Sequence, residues 1–380
     1  MHDFILKEIT NTDIQKELNS IGFDKSYVHK AWEKFEYKNI KIFGLTLPQA
    51  NILKQTALSV GADCATHRET ITGKIETTDC ILGGSLSQLE KIADKLSRQP
   101  FGLKNLGTEI INLKKHNSQT TKIVGILNVT TDSFSDGGKY NDFENAITHL
   151  KNLIDDGADI IDIGAESTKP GSKPVSTEKQ LSKLLPILNY INTNLKNKPI
   201  ISIDTRDSKV AEECLKAGAN IINDVSGFNY DKKMPDVIAK YNAKVIIQHS
   251  QGTPETMQDN PEYTNLMDDI FLALKTKIKL ATSKGIEKEN IIIDPGIGFG
   301  KTREQNFEII NRIEELYSLD CPVMLGISRK SLLNMAEADN LTKDIYTVAL
   351  NTLAVNKKVD YIRVHNVKLH KSLLEMLPSI

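Results

Sequence analysis

The chain has 380 residues, 39% hydrophobic and 26% charged, too apolar for a disordered polymer and ordinary for a folded protein. Its 48 Lys and Arg nearly cancel 49 Asp and Glu, so no global field draws it to nucleic acid or acidic membranes, and any anion site has to be local. No apolar run approaches the roughly 20 residues of a membrane span, and the N-terminal residues do not read as a secretory signal. The four cysteines, Cys64, Cys80, Cys214 and Cys321, are widely spaced, which argues against a disulfide framework or a zinc site. The expectation is a soluble, cytoplasmic protein.

Residues 1–113 read as a smaller α/β domain, with a helix over 47–59, a strand over 79–83 and a helix over 85–97. It carries no catalytic motif, and packing or oligomerisation is the role expected of it. The polar stretch 114–121 reads as a linker. Across 122–380, short apolar runs at 122–127, 159–163, 199–203, 220–222, 244–248, 290–293, 322–326 and 360–364 predict buried parallel strands. Helical periodicity falls between them, for example over 143–156, 178–195, 208–217, 266–283 and 304–317. The junction phrases DDGADIIDI and KAGANIIND, with SVGADCAT near the N-terminus, each place a glycine where a helix ends and a strand begins. Eight strands with intervening helices in about 260 residues predict a TIM (β/α)8 barrel. A doubly wound open sheet is the competitor, but the early GxGxxG is missing.

Barrel enzymes build their sites at the C-terminal ends of the strands. In order, those ends carry Asn128 with NVTTDSFSDGG, Asp162 with AESTKPGS, Asp204-Thr205-Arg206, Asn223-Asp224, Gln248-His249, Asp294-Pro295-Gly296, GISRKS, and Arg363-Val364-His365-Asn366. One such residue is readily a helix cap, and Asp207 or Ser208 fits that bland role. Seven or eight converging on one rim suggest a site. Asp204, Asn223 and Asp294 suit the donor-rich edge of a flat heterocycle, because a carboxylate accepts two parallel hydrogen bonds. Lys330, Arg363 and His365 cluster on strands 7 and 8, where barrels often hold phosphate. Asn128 and Asp136 offer oxygens to a hard ion such as Mg²⁺ shared with substrate phosphates. DPGIGFGK (294–301) lacks P-loop spacing, and its glycines suggest a tight turn beside a planar ligand.

Over 122–377 the chain resembles the dihydropteroate synthase family through ILNVTTDSFSDGG, DIGAESTKPG, SIDT, INDVSG, HSQGTPETMQ, DPGIGFGK, GISRKS and RVHNV. The N-terminal residues look like the extension of a longer bacterial form. The resemblance implies condensation of 6-hydroxymethyl-7,8-dihydropterin diphosphate with p-aminobenzoate, with Mg²⁺ as cofactor and a possible homodimer through barrel helices. It implies that Asp204, Asn223 and Asp294 bind the pterin, with Lys330 on its carbonyl or ring nitrogen. It further implies that Asn128, Arg363 and His365 hold the diphosphate, that Asn128 and Asp136 ligate the metal, and that Phe134, Thr168, Pro170 and Ser331 form the p-aminobenzoate pocket.

The chain departs from the family pattern at Thr131 (commonly Pro), Lys169 (usually Arg), Gln248 and Ser250 (commonly Met) and Asn366 (often Asp). None of these removes a group the chemistry requires. The second loop carries no extra aromatic insertion and Phe134 and Pro170 are present, so sulfonamide sensitivity is expected. Two rivals are a pterin-dependent methyltransferase, which needs no diphosphate site, and a non-catalytic pterin-binding barrel.

Overall fold

The computed structural model describes residues 5–7, 9, 13–113, 120–130, 139–167, 174–252, 261–333 and 337–377. The chain divides into two compact units, Met1–Asn117 and Ser118–Ile380. In the first, α1 (Ile14–Ser20) and α2 (Val28–Ala31) precede β1 (Tyr37–Thr46), α3 (Leu47–Leu58), β2 (Asp63–Thr66), β3 (Thr77–Ser85), α4 (Leu86–Leu96) and α5 (Leu103–Asn112). The helices expected at 47–59 and 85–97 are α3 and α4, and Ser85 and Gln88 close a reciprocal cap at the start of α4.

The sheet of this unit has an antiparallel order that the sequence did not specify. Its order is β1-β3-β2, and β3 runs antiparallel to both neighbours. Helix α3 therefore crosses between two parallel strands that are split by β3, which gives an α+β arrangement. Alternating residues Cys80 and Leu82 of β3 join Leu53, Leu89, Ile92 and Ile110 of the helices in its core.

The second unit alternates strand and helix: β4 (Lys122–Asn128), α6 (Lys139–Asp155), β5 (Ile160–Gly164), α7 (Thr177–Asn194), β6 (Ile200–Asp204), α8 (Ser208–Lys216), β7 (Ile221–Asp224), α9 (Met234–Lys240), β8 (Lys244–Gln248), α10 (Leu266–Ser283), β9 (Ile291–Asp294), α11 (Arg303–Asn311), β10 (Met324–Leu325), α12 (Asn340–Asn356), β11 (Tyr361–Val364) and α13 (Val367–Met376). Among the described residues eight parallel strands form one sheet, ordered β10-β11-β4-β5-β6-β7-β8-β9. A parallel bridge between Ile293 and Val323 joins its two ends, so the expected TIM barrel closes.

Two elements fall short of their predicted spans. The strand expected at 322–326 is only Met324–Leu325, because Pro322 has no N–H and the Asp360 carboxylate takes that of Val323 at 2.8 Å. The helix expected over 304–317 stops at Asn311 and resumes as a 3-10 turn from Ile313 to Leu319. Among the described residues no helix is long and apolar enough to cross a membrane.

Side-chain alternation sorts each strand into two faces. Outward residues such as Ile161, Ile163, Ile203, Ile222, Ile247 and Ile293 pack under the helices. Inward residues Val124, Ile160, Ile221, Ile246, Ile292 and Met324, with Tyr361, form a separate apolar layer across the barrel interior. This layer is the floor on which the polar mouth rests. Ile246→Ala should cost about 3 kcal/mol of unfolding free energy in urea titration, the usual range for an aliphatic core truncation; a loss below about 1 kcal/mol would show that the floor is not close-packed.

Candidate active site

One inward position beyond the floor, the residues turn polar. Ile160 is followed by Asp162, Ile221 by Asn223, Ile246 by Gln248, Ile292 by Asp294 and Tyr361 by Arg363, while β6 is polar at both inward positions, Ser202 and Asp204. Arg363 lies across this layer. Its Nε donates to Asp162 Oδ2 at 2.6 Å and its Nη2 to Asp204 Oδ2 at 2.7 Å. Asn223 Nδ2 donates to the same Asp162 oxygen at 3.1 Å. These bonds leave Asp162 Oδ1, Asp204 Oδ1, Asn223 Oδ1 and Ser202 Oγ buried without a hydrogen-bond partner. Buried polar atoms are normally satisfied, so four together at the mouth of a barrel mark a place for donors brought by a ligand.

Burial dominates the electrostatics. It pushes the Asp204 carboxyl up to about 7 despite the opposing Arg363 guanidinium, with Asp162 adding to the rise. Burial also raises Asp294, which accepts from Gly296 N at 2.6 Å. Lys330 is pulled down to about 8 by burial, against the pull of Asp294. Its Nζ donates to Ile297 O at 2.5 Å and lies 4.7 Å from the centre of the Phe299 ring.

The loop after β9 has a specific scaffold. Gly296 has φ +71, and a Cβ there would come within 1.9 Å of His249 O. Buried Lys301 spends its three donor directions on Gly296 O (3.0 Å), Phe299 O (2.9 Å) and His249 Nδ1 (3.1 Å). Burial draws Lys301 down to about 7 and holds His249 far below its ordinary value, so the imidazole is neutral and accepts at Nδ1.

At the ends of β10 and β11, Ser328 Oγ accepts from His365 N at 3.2 Å and lies 2.9 Å from His365 Nδ1. Burial keeps His365 neutral, at about 3, so one ring nitrogen donates and the other accepts, and the Ser328 hydroxyl serves Nδ1 in either role. Arg329, at φ +57, makes a two-pronged ion pair with Asp344 at 2.7 Å per bond, and Asn366 Nδ2 reaches that carboxylate at 3.2 Å. Helix α12 thus ties together the two loops that carry Lys330 and His365.

Of the residues named from sequence, Asp204, Asn223, Asp294, Lys330, Arg363 and His365 sit on this one face of the barrel, and Asn128 ends β4 half-buried. Phe134, Asp136, Thr168 and Pro170, with Thr131 and Lys169, lie outside the described residues, as does the side chain of Ser331. Gln248 makes the interior more polar, donating to Val225 O at 3.2 Å. Asp207 is the helix cap that the plainer reading gave it, accepting from Lys209 N and Val210 N. Among the described residues no group of three or more His, Cys, Asp or Glu is placed to hold a metal.

Sequence reasoning gave no role to Asp162, Phe299, Lys301 or Ser328. For Asp162 the signal was available, as the polar residue at an inward position of an otherwise apolar strand. Lys301 and Ser328 carried none, since their partners lie on other strands.

Residues 124–365 match the family described as pterin binding enzyme. The chain is 48% identical over 251 residues to the dihydropteroate synthase of Clostridium beijerinckii, covering 66% of this chain and 90% of that protein. A probable bifunctional folylpolyglutamate synthase/dihydropteroate synthase of Haloferax volcanii is 33% identical over 347 residues. That match covers 84% of this chain, more than the barrel unit alone supplies, and 40% of the relative. Among solved structures, a Clostridium difficile dihydropteroate synthase crystallised in the presence of pteroic acid superposes with a TM-score of 0.64 at 41% identity, covering 69% of this chain and 97% of the other.

The geometry at Gly296 yields a direct test. Gly296→Ala combines a left-handed backbone with a steric clash against His249 O, and should lower the unfolding free energy by more than about 2 kcal/mol. Unchanged urea unfolding would mean that the loop relaxes freely and is not a fixed wall of the site.

Proposed function

The chain belongs to the dihydropteroate synthase family of pterin-binding enzymes, and we propose from this premise that the polar mouth of its barrel runs the family reaction through the side chains described above. The reaction condenses 6-hydroxymethyl-7,8-dihydropterin diphosphate with p-aminobenzoate. The C–O bond to the diphosphate breaks, the arylamine nitrogen forms the new C–N bond and loses a proton, and dihydropteroate and pyrophosphate leave.

The observation that carries the residue assignment is the set of unpartnered buried acceptors around Arg363. The 2-amino group and ring N–H of a pterin supply the missing donors to Asp204 and Asn223. Lys330 then leaves Ile297 O for the 4-oxo group or a ring nitrogen, and Phe299 lies beside the ring plane. Arg363 spends Nε and Nη2 on carboxylates, so its remaining N–H groups, with His365 in the tautomer protonated at Nε2, are free to face the diphosphate. These preorganised donors stabilise the charge that grows on the leaving group. The buried carboxylates of Asp204 and Asp294 offset positive charge that develops on the pterin methylene.

Mg²⁺ is a further proposal. Asn128 supplies one neutral oxygen at the end of β4, and Asp136 lies outside the described residues. So few protein ligands fit an ion whose shell comes mostly from substrate oxygens and water. When bound, it would neutralise charge on the departing diphosphate. A homodimer is proposed from the exposed Leu341, Ile345 and Leu353 along α12, spaced by multiples of four.

Pyrophosphate release, assayed with and without p-aminobenzoate and Mg²⁺, separates this reading from its rivals. Release tied to dihydropteroate formation supports the synthase; pterin binding without release would leave only a binding barrel or another transferase. The pH dependence tests the residues. Ionised Asp204 offers acceptors only, whereas its acid form carries a competing O–H donor, and Lys330 is a cation only when protonated, so kcat/KM should rise through about 7 and fall above about 8. Lys330→Arg, which keeps its charge, should remove the alkaline limb. A limb unchanged in that variant would assign it to another group.

A further inference from the structure

Asp162 has no role assigned above beyond its bond to Arg363, yet its side chain is fully buried and touches two other groups of the site. A carboxylate paired to a guanidinium only accepts hydrogen bonds. The atom of Asn223 that faces it therefore has to be the amide nitrogen, at 3.1 Å from Asp162 Oδ2. The Asn223 carbonyl oxygen is turned the other way and stays buried without a partner. Without Asp162 the two ends of that amide would be nearly interchangeable, since they are alike in shape and opposite in hydrogen bonding.

From this we infer that Asp162 is a positioning residue that fixes the polarity of the heterocycle pocket, holding Asn223 so that it offers an acceptor and making the enzyme select rings that carry a donor at the 2-position. The inference rests on the pterin reading of the site and deepens it. The same Asp162 oxygen holds Arg363 Nε, and Arg363 in turn holds Asp204 Oδ2. One carboxylate thereby orients two of the groups whose other oxygens, Asn223 Oδ1 and Asp204 Oδ1, are buried without a partner. A ring with a 2-oxo group in place of the 2-amino group would set acceptor against acceptor. Rejection of such mismatches at a site built for a donor is on the order of ten thousandfold.

The test compares pyrophosphate release from two substrates, 6-hydroxymethyl-7,8-dihydropterin diphosphate and its 2-oxo counterpart, as a ratio of kcat/KM values. A ratio taken on one preparation is independent of how much of the protein is folded. Asp162→Asn, nearly isosteric, lets the Asn223 amide turn over. It should shrink the preference for the 2-amino substrate by about tenfold or more, beyond any common loss of activity. Asn223→Ser, which leaves Asp162 intact and removes the oriented amide, should reduce the ratio likewise and serves if Asp162→Asn does not fold. An unchanged ratio in either folded variant would overturn the role given to Asp162, whatever happens to overall activity. Failure of the unmodified enzyme to release pyrophosphate from the 2-amino substrate would instead count against the reaction itself.

Discussion

A guanidinium inside a barrel of Ile and Val strands survives only if it is paired, because the desolvation of a lone charge there exceeds anything else the site gains. Arg363 meets that requirement with Asp162 and Asp204, reached from β11 across to β5 and β6. Much of the mouth follows from this pairing. The two carboxylates can be buried because the cation lies between them, and Asn223 is oriented because one of them is. The acceptors left over are buried without a partner, which suits donors brought by a ligand. Removing one partner of such a set leaves an uncompensated buried charge, at a typical cost of about 3–5 kcal/mol. The arrangement thus ties the stability of the barrel to the polarity of its pocket.

Around that centre, the loops are held by cations that bond mainly to backbone rather than to carboxylates. Lys301 gathers two carbonyls of the glycine-rich loop and an imidazole nitrogen, while Lys277 donates to Gln248 O at 3.0 Å. Next to them around the barrel, the Arg329–Asp344–Asn366 contacts brace the loops after β10 and β11. A site that must grip a planar ring and a diphosphate together needs its loops fixed to within fractions of an ångström. These contacts lie one layer outside the groups that would touch the substrate.

The barrel was readable because each parallel strand is a short apolar run, and because a strict two-residue alternation places Asp162, Asn223, Gln248, Asp294 and Arg363 just beyond an inward apolar residue. The rim residues followed from their place at strand ends. What sequence did not provide was pairing between distant strands. Ser328 became relevant only once His365 was found beside it, and the orientation of Asn223 only once Asp162 was. The short β10 depended on a tertiary bond from Asp360, which no local pattern encodes. In the N-terminal unit the mixture of strand and helix was evident, but the antiparallel order was not, because β3 inserts between strands that precede it in the chain.

The most direct measurement is a crystal structure of the protein with 6-hydroxymethyl-7,8-dihydropterin diphosphate. The 2-amino group and ring N–H should lie within about 3 Å of Asp204 Oδ1 and Asn223 Oδ1. Arg363 should remain bonded to Asp162, with its free N–H groups turned to the diphosphate. A ring bound elsewhere, or an Asn223 amide presenting its nitrogen to the ligand, would overturn the assignment of these residues to the pterin.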